Sequence, residues 1–168
     1  PLRELLMGFE GRLALPQIEV AVGESEEGDA QGVHAAQQVA FIVRHLEPLS
    51  EADQQALLVF AKEHQIHLYL QPKGPDSVHK VWPADGALRL HYYLPAYQLR
   101  LAFHPADFTQ VNGELNREMI ARALAMLDPQ PQDRILDLFC GLGNFTLPMA
   151  RLAQEVVGVE GSQEMVER

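Results

Sequence analysis

Two apolar runs separated by a glycine-rich turn limit the possible folds of this chain more than any other feature. The first, Arg134-Ile-Leu-Asp-Leu-Phe139, leads into Cys-Gly-Leu-Gly-Asn-Phe-Thr146, and the second, Glu155-Val-Val-Gly-Val, ends in Glu160. Short apolar runs bounded in this way predict buried strands. A strand entering a Gly-x-Gly turn brings backbone close to a ligand, because Gly141 and Gly143 carry no side chain and accept positive φ. A helix is expected next, with its unpaired N–H groups turned toward that ligand. Glu160, about 20 residues after the turn, stands where a carboxylate accepts hydrogen bonds from two ribose hydroxyls. The plain alternative is a tight strand-to-helix turn of any α/β protein.

A dinucleotide fingerprint would place a third glycine where this chain has Thr146, which weakens a pyrophosphate assignment. S-adenosylmethionine fits better. It has no phosphate to cradle, its ribose suits Glu160, and its methionine carboxylate and ammonium suit the turn. Asp-Leu-Phe-x-Gly-x-Gly-Asn-Phe, starting at Asp137, resembles the first motif of class I methyltransferases.

A narrower resemblance rests on two elements in order. Phe103-His-Pro-Ala-Asp-Phe-Thr-Gln-Val-Asn112 comes first, and Asp137-Leu-Phe-Cys-Gly-Leu-Gly-Asn-Phe-Thr-Leu-Pro148 follows a helix-like stretch. Together they resemble the RNA uracil-C5 methyltransferases, above all the members that act on 23S ribosomal RNA. The likeness is strong from about Leu99 onward and looser upstream, where the chain is similar to the family's central domain.

That resemblance implies a cytoplasmic enzyme that forms 5-methyluridine in ribosomal RNA. It also implies that Gln110, Phe139, Asn144 and Glu160 contact S-adenosylmethionine, with Asp137 a lesser candidate that orients the turn. Each has a structural alternative: Gln110 satisfying loop backbone, Phe139 in a core, Asn144 as a helix N-cap, Glu160 as a solvated strand end. Full-length ribosomal RNA members are expected to carry an iron–sulfur cluster on N-terminal cysteines, none of which is present here. Two further possibilities stay open: a class I methyltransferase with another substrate, against which the Phe108-Thr-Gln-Val-Asn112 element argues, and a noncatalytic interaction domain that retains the glycine turn.

Carbon 5 of uracil is a poor nucleophile. Its methylation requires a thiolate to add at carbon 6, and a base to remove the C5 proton afterwards. Cys140 is the sole thiol, but it sits inside the turn, where a small buried residue is the simpler role. By resemblance the nucleophilic cysteine and the base lie far downstream, so no catalytic residue is assigned in this chain and the isolated segment is expected to be inactive. No metal site is assigned either, since His64 and His67 have no third ligand spaced with them.

The chain has 168 residues, 47% of them hydrophobic and 21% charged, an ordinary globular balance. No apolar run approaches the length of a membrane span. The 13 basic residues against 23 acidic ones give a net charge of −10. Nucleic-acid binders neutralise phosphates with clustered Lys and Arg, so any RNA-binding surface is expected mostly outside this segment. Part of the acidic excess lies at 24–29, which reads as a solvated turn. After Gln132 the sequence supplies one strand, one helix, a second strand and the start of another helix. The expectation is therefore a fragment of a longer protein, with an unpaired strand edge prone to self-association.

Upstream the pattern is α+β. Leu2, Leu5, Leu6 and Phe9 share a helix face; Ile18, Val20 and Val22, then Val39, Phe41 and Val43, alternate as strands. Ser50 and Asp53 open a helix striped by Ala56, Leu57 and Phe60. Ile66, Leu68 and Leu70 alternate again, and strand-like pieces follow at 78–82, 88–92 and 99–103. Asn112 is expected to cap a helix burying Leu115, Met119, Ile120, Ala123, Leu124 and Leu127. Trp82, Tyr92, Tyr93 and Tyr97 suit either packing or stacking on RNA bases. The predicted class is α/β: an α+β central domain over 1–100, then the first part of a Rossmann-like methyltransferase domain over 101–168.

Overall fold

The computed structural model describes residues 1–24, 37–86 and 88–166 and is mixed α/β. Most of the acidic stretch 24–29 lies outside the described residues. Contacts divide the chain into two compact units, Pro1–Leu90 with His104–Phe108, and His91–Phe103 with Thr109–Arg168.

The first unit holds a four-stranded sheet in the order β1 (Gln17–Glu24), β2 (Gln37–Arg44), β3 (His67–Gln71), β4 (His79–Trp82). β2 and β3 are parallel, which requires a crossover. α2 (Glu51–Glu63) supplies it, while α1 (Leu2–Met7) precedes β1. The Ser50 hydroxyl accepts from the Asp53 N–H at 3.1 Å, satisfying one orphan donor of the first turn. The Asp53 carboxylate turns elsewhere and accepts from the backbone N–H groups of Glu10 and Gly11. α2 thus buries the line Asp53, Leu57, Ala61, packed with Phe9, Val43, Leu49, Leu68 and Leu70.

Two expectations for this unit change. Val20 and Val22 are exposed, whereas Ile18 of the same strand packs against the core. In β3 the residues from Leu68 to Gln71 are all buried, since an interior strand is covered on both faces and loses its alternation. Trp82 packs against the core cluster.

The second unit opens with the hairpin β5 (Leu90–Leu94) and β6 (Leu99–Phe103), closed by a turn at Pro95–Tyr97. A cut near residue 100 would pass through β6, whereas the contacts group β6 with most of β5 and the following helix. β5 also starts two residues later than the piece expected at 88–92. α3 (Gly113–Leu127) is capped by Asn112, whose Oδ1 accepts from the Leu115 N–H at 3.0 Å.

The buried face of α3 differs from the expected stripe. Asn116, Ile120 and Leu124 are buried, whereas Leu115, Met119 and Leu127 are exposed. The line at spacing four faces Leu94, Leu101 and Met149, and Asn116 is admitted to it because its amide is paired. As in α2, the polar residue that begins the buried line is the one that makes tertiary hydrogen bonds.

After α3 come β7 (Arg134–Leu138), α4 (Thr146–Met149), β8 (Glu155–Val159) and α5 (Gln163–Val166). β7 and β8 pair in parallel, with Arg134 opposite Glu155 and Leu138 opposite Val159. Ile135 and Val156 pack on the core of this unit, while Leu136, Leu138, Val157 and Val159 stand exposed on the sheet. The helix after the glycine turn is a single turn. Past Pro148 the chain closes with tighter bonds, from the Arg151 N–H to the Pro148 carbonyl and from the Leu152 N–H to the Met149 carbonyl, which end α-helical geometry.

Candidate functional site

The end of β7, the loop from Phe139 to Phe145 and the end of β8 form one polar corner. Phe139, Gly141 and Gly143 all take positive φ, at 61°, 55° and 89°. The two glycines accept this freely. Phe139 does not, and a bulky residue in that region points to a functional constraint. Its ring is 88% exposed, so it is not a core residue.

The loop is held from several sides. The Cys140 N–H donates to the Val159 carbonyl at 3.1 Å, and the Gly143 N–H to the Cys140 carbonyl at 2.9 Å. The Thr146 hydroxyl donates to the Asp137 carboxylate. A Cβ on Gly143 would come within 3.0 Å of Leu147, whereas above Gly141 nothing lies within 4 Å of where a Cβ would be. Gly141 therefore borders open space.

Glu160 reaches back to this loop. One carboxylate oxygen accepts from the Gly141 N–H at 2.9 Å and the other from the Ser162 N–H at 3.0 Å. These bonds, to Ser162 first and then Gly141, hold its carboxyl below the usual carboxylate range. The Gly161 N–H also lies against this carboxylate, so of its four or so lone-pair sites at least one remains for a ligand hydroxyl.

Asn144 is not an N-cap; Phe145 stands at the start of α4 and no side chain caps it. Instead Asn144 pairs with Asn116 and accepts from the Tyr92 hydroxyl. Cys140 is a packing residue, since a Cβ on Gly158 of β8 would meet its Sγ at 2.9 Å. Gln110 is exposed just before the Asn112 cap. Phe139, Asn144 and Glu160 thus gather on one loop and its neighbouring strand end, while Gln110 is placed at the approach to α3.

Asn116 is not singled out by the sequence pattern, and Tyr92 suits only packing or RNA stacking on that basis. The signal for Asn116 is only its place at the start of the i, i+4, i+8 line completed by Ile120 and Leu124. Tyr92 also packs on the core of its unit and tilts against Phe103, with ring centroids 6.0 Å apart.

Solved structures share this architecture. The Pyrococcus abyssi tRNA (uracil-54, C5)-methyltransferase in complex with S-adenosyl-L-homocysteine aligns with a TM-score of 0.55 at 17% identity, over 88% of this chain and 34% of that one. The M. jannaschii tRNA m1G37 methyltransferase aligns at 0.52 and 12% identity, over 99% and 43%. The chain thus shares the mixed α/β fold of these two proteins.

Residues 89–168 match the model of the tRNA (uracil-5-)-methyltransferase family. The chain is 53% identical over 167 residues to the 23S rRNA (uracil(1939)-C(5))-methyltransferase RlmD of Alcanivorax borkumensis. It is 50% identical over 167 residues to the protein of the same name from Hahella chejuensis. These matches cover 99% of this chain and 35% of each relative, so the chain spans about a third of the length of the curated relatives it matches. No helix among the described residues is long and apolar enough to cross a membrane.

Proposed function

We propose that this chain is the central region and the start of the cofactor domain of an S-adenosylmethionine-dependent enzyme that forms 5-methyluridine in 23S ribosomal RNA in the cytoplasm. The observation that carries this is the Glu160 carboxylate, bound to the Gly141 N–H and still able to accept from a ligand hydroxyl beside the glycine loop. Identity near 50% over almost the whole chain to proteins named for that reaction supports the substrate.

The residues present suit the cofactor. S-adenosylmethionine supplies an electrophilic methyl group on a sulfonium. Glu160 accepts from its ribose hydroxyls, Gly141 allows its close approach, Phe139 offers an exposed ring face, and Asn144 and Gln110 provide polar contacts. Cys140 takes no part in bond making, because its sulfur is packed against Gly158. A single cysteine also cannot hold an iron–sulfur cluster, so no role in this segment is assigned to one. With a net charge of −10, the segment leaves most phosphate contacts to the rest of the enzyme.

The test is methyl transfer by the full-length protein to 23S ribosomal RNA lacking the modification, read as 5-methyluridine formed and as release of the C5 hydrogen. Absence of both, with an authentic enzyme of the family active alongside, would overturn the assignment. We also propose that the 168-residue chain, taken by itself, self-associates. β7 pairs only with β8 among the described residues, and Leu136, Leu138, Val157 and Val159 are exposed beside that open edge. Light scattering should give a mass above the monomer; a monomer at high concentration with its β7 amides protected from exchange would refute this.

A further inference from the structure

We propose that Tyr92 and Asn116 are positioning residues that lock the Asn144 carboxamide so that it meets the cofactor only as a hydrogen-bond donor. The proposal rests on the cofactor assignment above and adds to it the polarity of one contact and two residues outside the glycine motif.

Asn116 is 5% exposed on α3. It exchanges two hydrogen bonds with Asn144: its Nδ2 donates to the Asn144 Oδ1 at 3.0 Å, and the Asn144 Nδ2 donates back to its Oδ1 at 2.8 Å. The Tyr92 hydroxyl donates to the same Asn144 Oδ1 at 3.1 Å. A carboxamide has two acceptor lone pairs on oxygen and two hydrogens on nitrogen. In Asn144 both lone pairs are taken and one hydrogen is taken, leaving a single N–H.

The phenol sets this orientation. Reversing the two amides would turn an N–H toward Tyr92 and leave the phenol proton without its acceptor, which a half-buried group resists. Burial also pushes the Tyr92 hydroxyl up to about 12, so it stays a donor across the working pH range. The cofactor atom facing Asn144 must then be an acceptor, such as a carboxylate oxygen, and not the ammonium. The same contacts tie the loop to α3, which begins directly after the Gln110-Val-Asn112 segment.

In the full-length protein, Tyr92→Phe keeps the ring and removes only the donor. It should weaken S-adenosylhomocysteine binding in calorimetry, and raise the KM for S-adenosylmethionine, by roughly threefold to tenfold. The kcat should stay within about a factor of two, since only uniform binding is lost. In an Asn144→Ala background the same change should have no effect, because Tyr92 acts through Asn144. Asn144→Asp, which offers oxygens alone, should bind about tenfold more weakly than Asn144→Ala, since a like charge or lone pair then faces the ligand.

Tyr92→Phe without effect in the wild-type background, or with equal effect in both backgrounds, would overturn the positioning role. Asn144→Asp as tight as wild type would overturn the donor assignment. Wild-type protein that binds no S-adenosylhomocysteine would instead overturn the cofactor assignment and this proposal with it. Circular dichroism and thermal midpoints establish that each variant is folded, and Asn116→Leu, expected to weaken binding at unchanged fold, supplies an independent route to the same loop.

Discussion

Replacing Ile120 by alanine is expected to destabilise the second unit by about 2–5 kcal/mol, the range for truncating a fully buried aliphatic side chain. Ile120 is 0% exposed and packs with Leu94, Leu101, Leu124 and Met149, which link α3, the hairpin and the region after the glycine loop. The removed atoms leave a cavity that neighbours on three elements cannot all close. Leu115→Ala, on the same helix but exposed, should change stability by less than about 0.5 kcal/mol. Trp82, the sole tryptophan, lies in the first unit, so its fluorescence is a poor reporter; hydrogen exchange of the α3 amides is the suitable one. Equal losses from the two substitutions would mean that α3 is buried along the broader stripe.

The other large effect concerns Glu160. Glu160→Ala should weaken S-adenosylhomocysteine binding by about tenfold or more, since a charge-assisted acceptor of the ribose is lost. It also leaves the Gly141 N–H without its partner, so the loop loses an anchor together with the ligand contact. Glu160→Gln keeps one acceptor oxygen and should lose less. The pH dependence has a definite sign. Because the backbone N–H groups hold this carboxyl below the usual range, it is ionised at neutral pH and stays so well into the acidic region. Its contribution is present above that depressed value and lost as pH falls through it. Calorimetry across pH should therefore show affinity insensitive to this group near neutrality. Unchanged affinity in Glu160→Ala, or a loss beginning near pH 7, would remove Glu160 from the role.

Much of the arrangement was determined by local sequence alone. The caps at Ser50 and Asn112, the positive φ at Gly141 and Gly143, and Glu160 at the end of β8 all follow from residues within a few positions of each other. Backbone requirements of a turn, a cap or a strand are met by the residue types that suit them, so the order of types is sufficient evidence.

Other features were decided by tertiary structure. Hydrophobic periodicity reports what a helix could bury, not which surface its neighbours bring. Hence Leu115, Met119 and Leu127 looked as suitable as Ile120 and Leu124, and only the hairpin and Met149 select the inner line. Val20 and Val22 alternate as Ile18 does, yet only Ile18 packs against the core, because what covers a strand face is set by other elements and not by the strand itself. The Asn144 amide finds partners 28 and 52 residues away, in Asn116 and Tyr92. Polar side chains that satisfy each other across such separations carry no periodic signature, and their pairing exists only once the chain has closed around them.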